Sequence, residues 1–143
     1  MNTPINGGCR CGAIRYAIDA QAPYETRLCH CRDCQYASGG AFSVVSFFAK
    51  DRVSFSGIAP SAHTVKGSQG LTVRRSFCGE CGTPLFSEVV ELPKLICIKT
   101  GSLDQPAAIA PTGHMWFDSK LPWLHLQDAL PAVPQNPPVE QYL

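Results

Sequence analysis

The chain has 143 residues and a formal net charge of +1, with 45% apolar and 16% charged residues. This length is typical of one domain, and the sequence contains no apolar run long enough to span a bilayer. The opening segment MNTPINGGCRCG has neither a basic start nor an apolar region, so we expect no signal peptide, no membrane partner and a cytosolic setting. The balanced charge also argues against a nucleic-acid-binding protein, which usually carries a basic stripe.

Apolar residues at every second position predict a mainly β fold built from short strands. In AIRYAIDA, Ile14, Tyr16 and Ile18 recur with a period of two, which is typical of a half-buried strand. AFSVVSFFAK is β-branched and aromatic on both faces, and it predicts a buried strand at residues 42–48. Two further pairs of strands are predicted, one within HTVKGSQGLTVRRSF and one formed by LFSEVV and LICIKT with a turn near Pro93.

Very little helix is predicted. One helical turn is expected in RDCQYA after Cys31, where the glycine pair at residues 39–40 would end it. After Leu126 the segment QDALPAVPQNPPVEQYL is rich in proline, which favours an extended surface segment over a second domain. We therefore assign residues 1–126 to a single domain and residues 127–143 to a C-terminal extension that is packed on it or trails from it.

The eight cysteines are the strongest indication of chemistry in the sequence. Without a secretion signal, clustered cysteines more often hold metal than form disulfides. A structural zinc ion takes four tetrahedral protein ligands, whereas a catalytic zinc ion takes three and keeps one position open. Seven of the cysteines fall into three groups, in the segments CRC, CHCRDC and CGEC: Cys9 and Cys11; Cys29, Cys31 and Cys34; Cys78 and Cys81.

Spacing alone allows two divisions of these seven cysteines. In the first, CRC joins CGEC in a four-ligand site, and the triplet of CHCRDC forms a separate three-ligand site. In the second, Cys31 and Cys34 join CGEC, which scatters Cys9, Cys11 and Cys29. The first division is favoured because three contiguous thiols make an open site of the catalytic kind, but spacing does not exclude the second.

Five motifs along the chain resemble the glutathione-dependent formaldehyde-activating enzyme family, whose domain also occurs in centromere protein V. In order, they are GGCRCGAIRY, CHCRDCQYASGGAF, FCGECGTPLF, GSLDQP and HMWFDSKLPW, and they cover nearly the whole chain. The resemblance implies a β-tent fold, in which small twisted antiparallel sheets are pinned by zinc. It also implies two zinc ions per chain, with these ligands: Cys9, Cys11, Cys78 and Cys81 for a structural ion, and Cys29, Cys31 and Cys34 for a catalytic ion.

The same resemblance implies an enzyme that condenses glutathione with formaldehyde into S-hydroxymethylglutathione, which is formally a carbon–sulfur lyase reaction. We therefore expect a small-molecule thiol adduct as substrate, with glutathione or another small thiol as co-substrate. The alternative is a non-catalytic, zinc-stabilised binding module whose triplet is closed by His30 or by an outside ligand. The partner of such a module would be a protein, tubulin or chromatin, and the charge balance argues against chromatin.

Five other residues have a predicted role or environment. His30 lies between two cysteines in an extended segment, so its ring should point away from the metal. Arg32 could attract a carboxylate of glutathione, and Gln35 stands where the family usually carries lysine or arginine. His114 either lines the pocket or is hydrogen-bonded within the fold. Cys97 lies alone between two isoleucines and is predicted to be a small buried apolar residue.

Overall fold

The computed structural model of the protein describes residues 3–67 and 69–142. The chain is mainly β, as predicted, and 16% of it is helical. The part of the chain that the structure describes contains one α-helix, α1 (Arg32–Ser38). The ten strands of the described residues are β1 (Ile5–Gly8), β2 (Ile14–Ile18), β3 (Glu25–Cys29), β4 (Ser43–Ala49), β5 (Val53–Gly57), β6 (Ser61–Lys66), β7 (Thr72–Phe77), β8 (Pro84–Val89), β9 (Leu95–Lys99) and β10 (Gly113–Met115). Single turns of 3-10 helix occupy Lys50–Arg52, Thr100–Ser102, Pro106–Ala108, Phe117–Ser119 and Glu140–Tyr142.

The strands form two sheets. The smaller one has the order β1-β2-β5, and the larger one has the order β10-β3-β4-β9-β8-β7-β6. The predicted pairs β6–β7 and β8–β9 are both present and antiparallel. Strand β10 pairs with β3 in parallel, which differs from the antiparallel arrangement expected throughout. Because the strands of a parallel pair need a long crossover between them, local sequence patterns carry no signal for this pair.

The larger sheet has two faces with different surroundings, as strand β9 illustrates. Ile96 and Ile98 face the smaller sheet and pack in one core cluster with Ile14 and Ile18 of β2. The alternate residue Cys97 belongs to a second cluster on the opposite face. Successive side chains of a strand point to opposite faces, so one strand contributes to both clusters. Burying each of these aliphatic side chains contributes about 1.5–3 kcal/mol of transfer free energy.

Helix α1 is short and has a defined cap at each end. Cys31 is the N-cap residue, and its Sγ accepts a hydrogen bond from the backbone N–H of Cys34 at 3.3 Å. The residue after the helix, Gly39, is its C-cap and has a φ of 67°, the left-handed conformation that glycine adopts without strain. The Ser43 hydroxyl donates to the Cys34 carbonyl at 3.0 Å and ties the helix to β4. These contacts fix the position of the cysteine triplet relative to the larger sheet.

The C-terminal segment runs along the domain in an extended course. Ala132 forms a parallel bridge with His114, and the Trp116 N–H donates to the Gln135 carbonyl at 3.0 Å. Near the end, Tyr142 is buried, and its ring contacts that of Phe47 edge-on with 5.7 Å between centroids. The proposed division at residue 126 stays a prediction. None of the helices formed by the described residues has the length and apolar character needed to cross a membrane.

Candidate metal centres

Four cysteines from distant parts of the chain form one cluster. The Sγ atoms of Cys9, Cys11, Cys78 and Cys81 all lie within 4.8 Å of one another. The Cys9 and Cys11 sulfurs are 3.5 Å apart, and those of Cys11 and Cys78 are 3.8 Å apart. A tetrahedral zinc ion with Zn–S bonds of about 2.3 Å separates its sulfur ligands by about 3.8 Å. The cluster therefore has the dimensions and the donor set of a four-cysteine zinc site.

This four-cysteine cluster joins the two sheets. Cys9 follows β1 of the smaller sheet, whereas Cys78 follows β7 of the larger one. Each pair of cysteines lies in a tight turn that includes a glycine of positive φ, Gly12 at 81° and Gly82 at 80°. A side chain at either glycine would be strained in this conformation. The sequences CRCG and CGECG thus encode two turns that present sulfurs to each other.

Hydrogen bonds favour the thiolate form at two of these sulfurs. The Ile14 N–H donates to Cys9 Sγ at 3.2 Å. The Thr83 side chain, together with its backbone, lowers the pKa of the Cys81 thiol to about 5, and the two side chains are 3.1 Å apart. Zinc binds thiolates rather than thiols, so these contacts favour the protonation state that a metal needs.

The three remaining clustered cysteines meet at the start of α1. Cys29 ends β3, Cys31 caps the helix and Cys34 lies within it, and their sulfurs all lie within 4.8 Å of one another. Hydrogen bonds from Cys29 and Cys31 lower the pKa of Cys34, and the charges of Lys99 and Arg75 lower it further. Three protein sulfurs in this arrangement fit a zinc site with three protein ligands.

The structure brings the seven cysteines together in the first of the two divisions that spacing allowed. Cys31 and Cys34 share a cluster with Cys29 and not with Cys78 or Cys81. Which cysteines bind zinc, and whether that zinc is structural or catalytic, stays a prediction.

A cavity of about 540 Å³ adjoins the cysteine triplet. All three cysteines of the triplet line it, and none of the four-cysteine cluster does. Much of its wall is apolar and comes from the open face of the larger sheet and from the C-terminal segment: Val45, Phe47, Val73, Val89, Leu95, Pro137 and Val139. Arg32, Lys66, Arg75 and Lys99 supply positive charge, and Asp33 is the only acidic residue among the described residues that line it. The two clusters therefore differ in access, since only the triplet opens onto a ligand-sized space.

His30 lies on the other side of its segment from the neighbouring cysteines. Its Nε2 is 2.9 Å from Nδ1 of His114, and Nε2 of His114 is 3.2 Å from the Asp128 carboxylate. A carboxylate only accepts, so His114 Nε2 donates to Asp128, and in a neutral His114 ring Nδ1 accepts from Nε2 of His30. Burial, with the neighbouring His114, lowers the pKa of His30 to about 4. Both histidines are hydrogen-bonded within the fold, and neither lines the cavity.

The other residues singled out in the sequence have clear places. Gln35 is buried, and its Nε2 donates to the carbonyls of His30 at 2.9 Å and Ser119 at 3.2 Å. Arg32 donates to the Gln35 side chain, stacks over the Tyr36 ring at 4.6 Å and lines the cavity. Cys97 is buried, as predicted, and its place in the cavity wall was not predicted.

Sequence reasoning missed three cationic residues of the cavity, Lys66, Arg75 and Lys99. A signal for Lys99 was available, because residues 95, 97 and 99 of LICIKT share one face of a strand. Arg75 occupies the same face, since it pairs with Ser87, which in turn pairs with Cys97. The order of the strands, which the sequence did not provide, is what brings Arg75 to this face.

Comparison with known proteins identifies the family. The profile of the family described as glutathione-dependent formaldehyde-activating enzyme matches residues 4–119. A Halomonas elongata protein, provisionally named as such an enzyme, is 24% identical over 127 residues, covering 86% of this chain and 81% of its own length. A Pyrenophora teres protein with the same provisional name is 34% identical over 66 residues, covering 46% of this chain and 34% of its own.

The fold is also found in a solved structure. A crystal structure of a Rhodobacter sphaeroides protein matches with a TM-score of 0.57 and 14% sequence identity, covering 90% of this chain and 100% of that one. At this identity the likeness concerns the fold alone. The family profile spans most of the chain, and the chain therefore belongs to the glutathione-dependent formaldehyde-activating enzyme family.

Proposed function

We propose that this protein is a zinc-dependent enzyme of the carbon–sulfur lyase type that acts on the adduct of glutathione, or another small thiol, with a carbonyl compound. Family membership supports a glutathione-linked reaction, and the two clusters support two zinc ions per chain. The cytosol, where thiols are kept reduced, is the setting that suits this chemistry. In this proposal the structural ligands are Cys9, Cys11, Cys78 and Cys81, and the reaction centre is held by Cys29, Cys31 and Cys34.

The observation that carries the proposal is the difference between the two clusters. The four-cysteine cluster supplies a full tetrahedral set and lies away from the cavity. The triplet supplies three sulfurs and forms part of the cavity wall. Three protein ligands leave the fourth position of a tetrahedral ion to a small molecule, which is the arrangement of catalytic zinc sites.

The residues around the triplet suit a condensation between a thiol and a carbonyl compound. Zinc in this site would lower the pKa of a substrate thiol and hold its sulfur for attack. In the overall reaction the S–H proton is lost, a carbon–sulfur bond forms and the carbonyl oxygen gains a proton. The cavity has an apolar wall formed by residues such as Val45, Phe47 and Leu95, and its volume would hold both reactants together.

The first test is thiol binding by calorimetry on zinc-loaded protein. Glutathione should bind with loss of one proton, so its affinity should fall about tenfold per pH unit below the pKa of its thiol. Cys34→Ser should abolish binding. Cys97→Ser is the matched control, because Cys97 lines the same cavity but belongs to neither cluster, and it should retain binding.

The second test is turnover. NMR of glutathione and formaldehyde mixtures should show S-hydroxymethylglutathione forming faster with zinc-loaded protein than without it, and the Cys34→Ser protein should not accelerate the reaction. Formaldehyde is taken from the family description, and other small aldehydes should be compared with it. If no thiol binds to fully zinc-loaded protein, the enzyme proposal is wrong and the zinc-stabilised binding module replaces it.

A further inference from the structure

Lys99 is a buried lysine whose ammonium group has no ion-pair partner among the residues that the structure describes. It is the last residue of β9 and is 8% exposed. Its Nζ atom has no hydrogen-bond partner among the described residues. Burying an ammonium group without a partner is costly, because the group gives up its hydration and receives nothing in exchange. An unpartnered ammonium group therefore indicates a ligand that accepts its hydrogen bonds and balances its charge.

The register of the strands places Lys99 on the cavity face. Lys99 pairs with Val45, and Cys97 pairs with Phe47, and all four residues line the cavity. Arg75, on the same face of the sheet, also lines it. The three cysteines of the triplet line the same cavity. The lysine, the arginine and the triplet thus face one space.

Among the described residues that line this cavity, the acidic side chains do not balance the positive charge. Four cationic residues and one acidic residue line it, among those that the structure describes: Arg32, Lys66, Arg75 and Lys99, with Asp33. None of the four cations takes part in an ion pair between described residues. A zinc ion together with three thiolates has a net charge of −1, which is too little to neutralise the four cationic side chains. The excess charge would attract an anionic ligand.

We propose that Lys99, together with Arg75, forms a subsite that binds a carboxylate of the substrate whose sulfur lies at the triplet. This inference rests on the proposed function and adds to it the residues that would select one class of substrate, thiols that carry a carboxylate on the same molecule. A carboxylate would accept charge-assisted hydrogen bonds from the buried ammonium group, and these are stronger than bonds between neutral groups. Glutathione, with its two carboxylates, falls within this class.

The competing explanation is that Lys99 only balances the negative charge of the zinc-bound triplet. The two roles predict different effects on two small thiols. If Lys99 acts through the triplet, replacing it changes the affinity for every thiol by the same factor. If Lys99 binds the substrate, replacing it lowers the affinity only for thiols that carry a carboxylate. The pair 3-mercaptopropionate and 2-mercaptoethanol separates these cases, because both offer a thiol and only the first carries an anion.

The experiment compares zinc-loaded wild-type protein with Lys99→Met, Arg75→Met and Lys66→Met by calorimetry. Lys99→Met should lower the affinity for 3-mercaptopropionate about tenfold or more and leave the affinity for 2-mercaptoethanol nearly unchanged. Arg75→Met, at a half-buried position, should also lower the affinity for 3-mercaptopropionate more than that for 2-mercaptoethanol. It serves as the second variant if Lys99→Met folds poorly. Lys66 is exposed at the cavity, so Lys66→Met controls for the loss of one positive charge from the cavity. This variant should keep the preference for 3-mercaptopropionate over 2-mercaptoethanol. Equal losses for both thiols would overturn the subsite.

A probe without a free thiol separates this inference from the proposed function. S-methylglutathione retains both carboxylates but cannot bind zinc as a thiolate. Ligand-observed NMR should detect its binding to the wild-type protein and a clear loss in Lys99→Met. If thiols fail to bind at all and this pattern holds, the subsite stands while the enzyme proposal falls. No binding of S-methylglutathione to the wild-type protein, or equal binding to both proteins, would overturn the subsite.

Discussion

Cys78 and Cys34 are both buried, but they belong to clusters with different positions in the fold. The cluster of Cys78 joins the two sheets, whereas that of Cys34 lies beside the cavity. A structural zinc ion contributes about 10–16 kcal/mol of apparent folding free energy, which matches or exceeds the stability of a typical domain. We expect Cys78→Ser to unfold or aggregate. Cys34→Ser should stay folded and lose one zinc ion, as measured by thermal melts and metal analysis.

Cys97→Ser provides the matched control for this pair of variants. Cys97 is also buried, but it belongs to neither cluster, so its substitution should leave both zinc ions in place. If Cys34→Ser lowered the melting temperature more than Cys78→Ser, the assignment of structural and catalytic clusters would be reversed.

His30 is fully buried, and its substitution tests whether it supports the fold or binds metal. Replacing it with alanine leaves a cavity among the rings of Phe42 and Phe117 and removes the donor to Nδ1 of His114. We expect His30→Ala to lose about 2–4 kcal/mol of stability in chemical unfolding and to keep both zinc ions. His63→Ala, at an exposed histidine, should change little. Loss of one zinc ion from His30→Ala alone would identify His30 as a ligand.

At the scale of elements, the C-terminal segment forms part of the cavity wall. Tyr142 is 7% exposed and packs against Phe47 and Tyr24. We expect Tyr142→Ala to cost about 2–4 kcal/mol in chemical unfolding, because a large buried ring is removed. Tyr24→Ala removes the exposed partner of the same contact and should cost about 1 kcal/mol or less.

Removing residues 127–143 tests the proposed domain division itself. If residues 1–126 form the domain, the shortened chain should remain folded and retain the zinc of the four-cysteine cluster. It should bind thiols more weakly, because Pro137, Val139 and Tyr142 no longer close the cavity. Metal analysis and circular dichroism would check the fold. A shortened chain that does not fold would show that the segment belongs to the domain core.

Strands and the helix could be predicted because their signals are local. The period of two in AIRYAIDA predicts β2, and the glycine pair after RDCQYA predicts where α1 ends. The grouping of the cysteines was favoured by spacing and by the family resemblance, since close pairs and triplets on tight turns constrain their own geometry. These elements need no knowledge of which strands are neighbours.

The cavity and its charges could not be predicted, because they depend on contacts between distant residues. His30 and His114 meet across the parallel pairing of β3 with β10. Lys99 faces the triplet only because β9 lies next to β4 in the larger sheet. Strand order is a property of the whole chain, and the alternating patterns of single strands do not encode it.

At the scale of the whole molecule, we expect two zinc ions that the protein holds with different affinity. The four-cysteine cluster supplies all ligands of its ion, and the triplet supplies three, so a chelator should remove the ion at the triplet first. Zinc release followed alongside far-UV circular dichroism should show one ion leaving without loss of structure, and unfolding with the second. A single tightly held ion per chain, with the triplet freely alkylated at every metal loading, would contradict the two-site arrangement.

The alternation along β9 also bears on how such a protein can change over evolutionary time. Ile96 and Ile98 hold the two sheets together, whereas the residues between and beside them face the cavity. Mutations at positions 95, 97 and 99 can therefore alter what the cavity accepts while the contact between the sheets is preserved. We therefore expect sequence variation among related chains to be greater on the cavity face of this strand than on the face that joins the sheets.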